Sequence, residues 1–395
     1  MSTAITTRPS LLTRPMLLIC SASFGAMICF YLLLSVVPQY ATSIGASGVG
    51  AGLATGALML STVALELATP RIVARVGYRF TLAAGLTLLG APALALPFAH
   101  TMPAILAISL VRGAGLAIIV VVGGSLVASI VPVERRGEGL GLYGFIVNVP
   151  AVVGLPAGVW LAAHAGYPTV FVIAGAAALL GLLAVPGLPG LQAPSHEVPV
   201  GVLSGLRMPA LARPAIVFSA TAMAAGVIVT FLPLAAIHAS GNIVAAALLV
   251  QAASSTFTRW WAGHHGDRHG ATALLIPGLL AATAGMLVLI FVASTLAIIV
   301  GMVLFGIGFG ITQNATLTMM FDRVTPSGYD AVSAVWNVGY DAGLGLGAVL
   351  FGIVSSHTGY PIAFALLATF MLAMLVPAWY DRGVRATTGG RSAVS

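Results

Sequence analysis

His164-Ala165-Gly166-Tyr167-Pro168-Thr169-Val170-Phe171 is followed, 193 residues later, by His357-Thr358-Gly359-Tyr360-Pro361-Ile362-Ala363-Phe364. The shared pattern is His-x-Gly-Tyr-Pro-x-x-Phe. The same offset pairs Arg75 with Arg268, Gly77 with Gly270, Gly113 with Gly306, Gly115 with Gly308 and Gly154 with Gly347. Isolated glycine matches mean little in a chain with 47 glycines. A block of five identities at the offset that also aligns the rest of the chain marks an internal duplication.

The duplicated unit is apolar. Of 395 residues 59% are hydrophobic and 6% charged, and the mean hydropathy is +1.08. Soluble domains carry about 25% charged residues. So few charges cannot cover a water-facing surface of this size, and lipid is the solvent the composition fits. Runs long enough to cross a bilayer fall near 16–40, 50–69, 79–99, 103–131, 138–163 and 167–186, then near 214–237, 242–262, 272–293, 296–321, 328–356 and 361–380. The expected fold is therefore all-α, with twelve transmembrane helices in two pseudo-symmetric six-helix bundles. A transmembrane β-barrel would show short alternating segments instead. The first run is too long for a signal-peptide core and reads as a retained helix.

With the N-terminus inside, fifteen of the sixteen arginines fall in inner loops or at inner helix ends. The predicted outer loops hold His100, His164, His238 and His357 but no Arg, Asp or Glu. This is the positive-inside pattern, and it agrees with an even number of spans and with both termini in the cytoplasm. It also accounts for the net charge of +7 without nucleic acid. Arginine without any lysine, beside abundant Ala, Gly and Val, suggests a bacterial inner (plasma) membrane protein. The proline-rich stretch 187–213 reads as a cytoplasmic linker between an N-terminal half, 1–186, and a C-terminal half with a short tail, 214–395. Each half enters the membrane from inside, so the repeats are parallel, and a substrate site belongs near the midplane between them. Cys20 and Cys29 lie nine apart on one run and point to opposite faces, so no disulfide is expected.

Gly263-His264-His265-Gly266-Asp267-Arg268-His269-Gly270 follows the eighth run, and Pro70-Arg71-Ile72-Val73-Ala74-Arg75-Val76-Gly77 follows the second. The first of these resembles the Gly-x-x-x-Asp-Arg-x-Gly loop signature of the major facilitator superfamily. The other departs from it at Pro70 and Ala74. Arg112-Gly113-Ala114-Gly115 is similar to that family's fourth-helix Arg-x-x-x-Gly motif, one residue short. Gly154-Leu155-Pro156-Ala157-Gly158 is similar to the Gly/Pro motif of its proton-coupled antiporters. The resemblance covers the whole chain and implies rocking-bundle alternating access, with Arg112 linked to proton transfer. As a gating loop it marks Arg71, Arg75, Gly77, Arg259, Gly263, Asp267, Arg268 and Gly270. Asp267, at an inner surface beside Arg268 and near Arg259, reads as half of a latch that Ala74 cannot form in the first half.

Charged residues inside the membrane are expensive and point to function. Asp341 lies about fourteen residues into the eleventh run, near the midplane, with Asn337 on the same face. Gly339, Gly343 and Gly347 form a stripe on roughly the opposite face that lets a neighbouring helix approach. Gly154, Pro156 and Gly158 read as packing residues too. Asp341 is the candidate for binding a proton or a cationic substrate, or else it is a hydrogen-bonded carboxyl that holds helices together. Arg112 either serves a proton or anion site or snorkels to the surface. Glu66 either joins the proton path or pairs with Arg71 at the inner surface, and the repeat sets it opposite Arg259. Softer cavity candidates are Tyr31, Gln39, Asn148 (the repeat partner of Asp341), Gln251, Gln313, Asn314, Trp336, Asn337 and Tyr340.

The reading that follows is a secondary transporter, not an enzyme, exporting small, largely apolar or cationic compounds in exchange for protons. Its partners are a small-molecule substrate, protons and the bilayer. One chain holds both halves of the site, so a monomer suffices, and no cofactor or metal is implied. A sugar or metabolite transporter of the same fold is the alternative. A membrane-embedded lipid enzyme is more remote, because no Asp-x-x-Asp pair or Cys/His cluster is present. The two-fold repeat also disfavours a channel.

Overall fold

The computed structural model describes residues 12–132, 135–190, 207–324 and 329–388, without the side chains of 136–137, 267–269, 329–331 and 382–388. The described residues form helices and contain no strand. In chain order these are α1 (Arg14–Leu34), α2 (Val36–Ser43), α3 (Gly48–Ala95), α4 (Met102–Ile130), α5 (Arg136–Ala165) and α6 (Tyr167–Leu180). The second half follows with α7 (Pro209–Ala235), α8 (Gly241–His269), α9 (Thr272–Val288), α10 (Thr295–Phe321), α11 (Tyr329–Thr358), α12 (Tyr360–Ala373) and α13 (Leu375–Thr388).

Among the described residues, eleven helical stretches are long and apolar enough to cross a membrane, rather than twelve separate ones. The runs at 50–69 and 79–99 are joined in one 51-residue stretch, Gly48–Phe98. At 1.5 Å per residue it would be about 75 Å long if straight, more than twice the hydrocarbon thickness. It is not straight: Gly77 breaks it with φ 80 and ψ 166. Only a residue without a β-carbon adopts that conformation cheaply, so the chain changes direction there with no separate loop.

The duplication is visible in backbone and contacts alike. Gly166 and Gly359 share φ 79, and Gly77 and Gly270 have φ 80 and 85. Ser47 and Ser240, also 193 apart, cap α3 and α8 by accepting from the amides of Gly50 and Ile243. A β-carbon on Gly113 would strike the carbonyl of Leu58, and one on Gly306 that of Gln251. Gly85 packs on Ile118 as Gly278 packs on Ile311. Every partner keeps the offset. Each half builds its own apolar core, and Tyr340 packs against both.

Two sequence boundaries shift. Pro209 is the first residue of α7 and Pro214 lies inside it, so the helix begins before 214 and takes the end of the expected linker. Residues 191–206 lie outside the description. Gly263–His269, expected as a loop, is the last part of α8, which ends where the Gly270 amide donates to Gly266 at 2.8 Å.

The glycine stripes pack. The Ser219 hydroxyl of α7 donates to the Gly339 carbonyl at 2.8 Å. β-Carbons on Gly343 and Gly347 would meet the backbone at Ser219 and Met223. The pseudo-symmetric pair is α5 on α1, where Gly154 faces Tyr31 and Gly158 faces Leu32, and Pro156 is buried between them. Without a hydrophobic force between helices in lipid, such close backbone approach is a main source of association. Gly347→Ala should therefore cost about 1–3 kcal/mol through overpacking and lower the midpoint of thermal unfolding in detergent. Gly124→Ala, where no atom lies within 4 Å of the added carbon, should leave it unchanged or raise it. Equal behaviour of the two variants would contradict this packing.

Candidate functional site

The two halves meet along α3 and α11, which run antiparallel. Gly52 lies against Ala348, Gly56 against Val349, and Gly345 against Met59. Thr55 of α3 and Thr230 of α7 share a hydrogen bond of 3.0 Å. Small residues thus let the helices touch from the Gly48 end inward. On the other flank Gly241 of α8 approaches Ala163 of α5.

Below this closed seam, Glu66 of α3 and Asp341 of α11 place their carboxyl groups side by side. Both are buried, with 7% and 8% exposure. Neither Glu66 oxygen meets an N–H or hydroxyl donor. Ionised carboxylates only accept, so a hydrogen bond between these two groups requires a proton on one of them. The ion pair considered for Glu66 and Arg71 is absent, and Arg71 is exposed. Five residues separate them, about 140° around a helix, so they leave α3 on different sides.

Arg259 also changes place. The sequence groups it with the inner gating loop, yet α8 continues to His269, which leaves Arg259 ten residues, about 15 Å, from the helix end. Its Nη1 donates to Gln313 Oε1 at 3.4 Å. The guanidinium carbon lies 5.9 Å from the centre of the Trp336 ring. Trp336 stacks on Phe218 with ring centres 4.4 Å apart, and Tyr340 lies nearly parallel to both. The Trp336 Nε1 donates to Thr316 Oγ1 at 3.3 Å. Tyr31 and Tyr340 are within electrostatic reach of both Asp341 and Arg259. The fold thus gathers Tyr31, Glu66, Arg259, Gln313, Trp336, Tyr340 and Asp341 at one level between the halves. Glu66 and Arg259 are repeat equivalents, one acid and one base.

Asn148 is exposed and donates to the Gly144 carbonyl of its own helix at 2.6 Å. Gln39 lines a shallow cavity of about 240 Å³ with Val159, Tyr167, Pro233 and Gly241, at the closed end of the seam. Gln251 is buried in α8, Asn314 faces Gly263, and Asn337 is half-buried. Arg75 is exposed. The Asp267–Arg268 latch lies outside the described side chains.

Arg112 does not snorkel. It is 1% exposed, sits beside buried Cys29, and its Nε and Nη2 have no partner. Its repeat equivalent is Phe305, fully buried in α10. The fold itself therefore fills this slot with a ring.

One cluster escaped the sequence reading. Asp381 of α13 is buried, with Arg323 Nη1 at 3.4 Å and Arg213 Nη1 at 3.9 Å. Arg323 also donates to the Ala210 carbonyl at 2.8 Å. The cluster ties together α7, α13 and the end of α10. Its signal was the placement of all three residues at inner helix ends.

The family model described as Major Facilitator Superfamily matches residues 19–324 and 215–393. No curated protein matches the chain by sequence. Among solved structures, a bacterial homologue of the human lysosomal transporter Spinster, in an inward-facing and occupied conformation, superposes with a TM-score of 0.79 at 16% identity, over 93% of this chain and 96% of that one. The nucleoside transporter NupG superposes with a TM-score of 0.72 at 14% identity, over 94% and 99%. At these identities the likeness is one of fold.

Replacing a partly unpaired buried charge by an apolar group of similar size is often neutral or stabilising. Arg112→Phe, copying Phe305, should match or exceed the native thermal stability in detergent. A clear drop would show that Arg112 is needed by the fold.

Proposed function

Because the chain belongs to the major facilitator superfamily, we propose that it is a proton-coupled secondary transporter of small, largely apolar compounds, with the Glu66–Asp341 pair as the proton-carrying group. It is a multi-pass membrane transporter and not an enzyme. The finer reading has α3 crossing the bilayer twice about Gly77, giving twelve spans. The arginine-bearing ends and both termini face the cytoplasm, in a bacterial inner membrane, and a monomer holds the complete site.

The observation that carries this reading is an acid pair bridging two halves that must move apart. One shared proton makes an O–H···O⁻ bond that ties α3 to α11. Loss of that proton leaves two buried negative charges. At about 4 Å they repel by about 4 kcal/mol at an effective dielectric constant near 20, and the lost charge-assisted bond adds about 1.5–3 kcal/mol. The sum is comparable to the about 5.5 kcal/mol that shifts a two-state equilibrium from 1:99 to 99:1. Past the pair, Trp336 to Tyr340 are all partly exposed, which supports a cavity open toward the arginine-bearing end. Arg112 places a basic group within the N-terminal half at a slot that the second half fills with Phe305. Export in exchange for protons remains the direction favoured by the helix 5 motif and the apolar surroundings.

A polar-metabolite transporter is the second reading, favoured by Arg259 and Gln313 at the same level as the acid pair.

The test uses cells expressing the wild type, Glu66→Gln or Asp341→Asn at equal surface level, loaded with fluorescent lipophilic probes that are cationic, neutral or anionic. The wild type should lower accumulation of at least one probe several-fold, and each substitution or a protonophore should abolish the difference. Wild-type cells that accumulate every probe like controls, or variants that pump normally, would refute the proposal.

A further inference from the structure

Arg259 has donor capacity that its one hydrogen bond does not use. A guanidinium presents five N–H donors in a planar fork. Among the described residues, one donor reaches Gln313 Oε1, and no carboxylate lies within ion-pair distance. Glu66 and Asp341 are placed against each other. Arg259 is half-buried and lies within electrostatic reach of Tyr31 of the first half and Tyr340 of the second. Beside it stands a flat apolar wall. Phe218, Trp336 and Tyr340 are stacked within 15° of one another, and Tyr340 is one of the residues on which the cores of both halves meet. A fork of donors next to a stack of rings is complementary to a planar molecule that ends in an oxyanion: the rings take the plane, and the fork takes two oxygens.

We propose that Arg259 and the half-buried rings of Trp336 and Tyr340, backed by the fully buried Phe218, form the cargo subsite, and that the cargo is a planar aromatic or conjugated compound bearing a carboxylate or comparable oxyanion. This deepens the transporter reading above and rests on it. The repeat gives the proposal a simple form. Position 66 of the first half carries the proton site, and its equivalent, position 259 of the second half, carries the cargo charge. Tyr31 and Tyr340 lie within electrostatic reach of both poles.

The probes are 2-naphthoate, the matched cation 2-naphthylmethylammonium and the neutral 2-naphthylmethanol. Their binding to the purified full chain in lipid nanodiscs is followed by calorimetry, at a pH where the naphthoate is ionised. Naphthoate should bind the wild type about 10- to 100-fold more tightly than the alcohol, the worth of one charge-assisted pair. Arg259→Gln should erase that preference and leave the alcohol within about two-fold. Arg259→Lys should keep part of it, since lysine retains charge but lacks the fork. No naphthoate binding, tighter binding of the cation, or an anion preference that survives Arg259→Gln would each overturn the proposal. Proton coupling is scored separately on Glu66 and Asp341, so either idea can fail without the other.

Discussion

The contact between Glu66 and Asp341 is the point on which the rest of the arrangement turns. Two carboxyl groups removed from water and set side by side, with no counter-charge within ion-pair distance among the described residues, are stable together only with a proton between them. Because one belongs to the first half and the other to the second, that proton is also a link between two bodies. The packing around them serves this position. Gly52, Gly56 and Gly345 let α3 and α11 touch along the seam, and Gly339, Gly343 and Gly347 hold α11 on α7 from its other face. A bulkier residue at any of these sites would separate the helices before the acids could meet.

The duplication supplied a symmetric scaffold, and the chemistry lies where the symmetry is broken. Gly113 and Gly306 repeat their contacts, to the carbonyl oxygen of Leu58 or Gln251 and the hydroxyl of Ser61 or Ser254. Glu66 and Arg259 share a scaffold position and carry opposite charge. Asp341 faces the seam while its equivalent Asn148 bonds its own helix. Arg112 occupies a slot that Phe305 fills without charge. A fold indifferent to these differences is free to use them for binding and coupling, and small two-state rearrangements at such a seam can be amplified into exchange of access.

Much of this was legible in the sequence. The repeat gave the two halves and the pairing of turn glycines. Asp341 was evident because acids are so rare inside the apolar runs, and its glycine stripe showed which face it must leave free. Glu66 was harder to read. Sequence spacing reports which residues share a helix face, and it cannot report which helix of the other half lies opposite. Arg259 was assigned to the gate because apolarity fades near residue 262, yet the helix persists to 269 through polar residues. Hydropathy marks where lipid contact ends, and helices outlast it. The same limit placed Gly263–His269 in a loop and began α7 too late. The gap between the runs ending at 69 and starting at 79 was legible, with Gly77 in it, but hydropathy could not show that helix continues through the gap and turns at Gly77 alone. The Asp381 cluster is a tertiary contact among three distant helix ends, which no local pattern encodes.

The most direct measurement is the distance between spin labels on the exposed positions Arg75 of α3 and Ser333 of α11, recorded by pulsed electron resonance from acidic to alkaline buffer. The wild-type distribution should shift with pH between two populations, and Glu66→Gln combined with Asp341→Asn should remove the shift. A wild-type distance indifferent to pH, or a shift that persists without both acids, would contradict the claim that a proton on this pair holds the halves together.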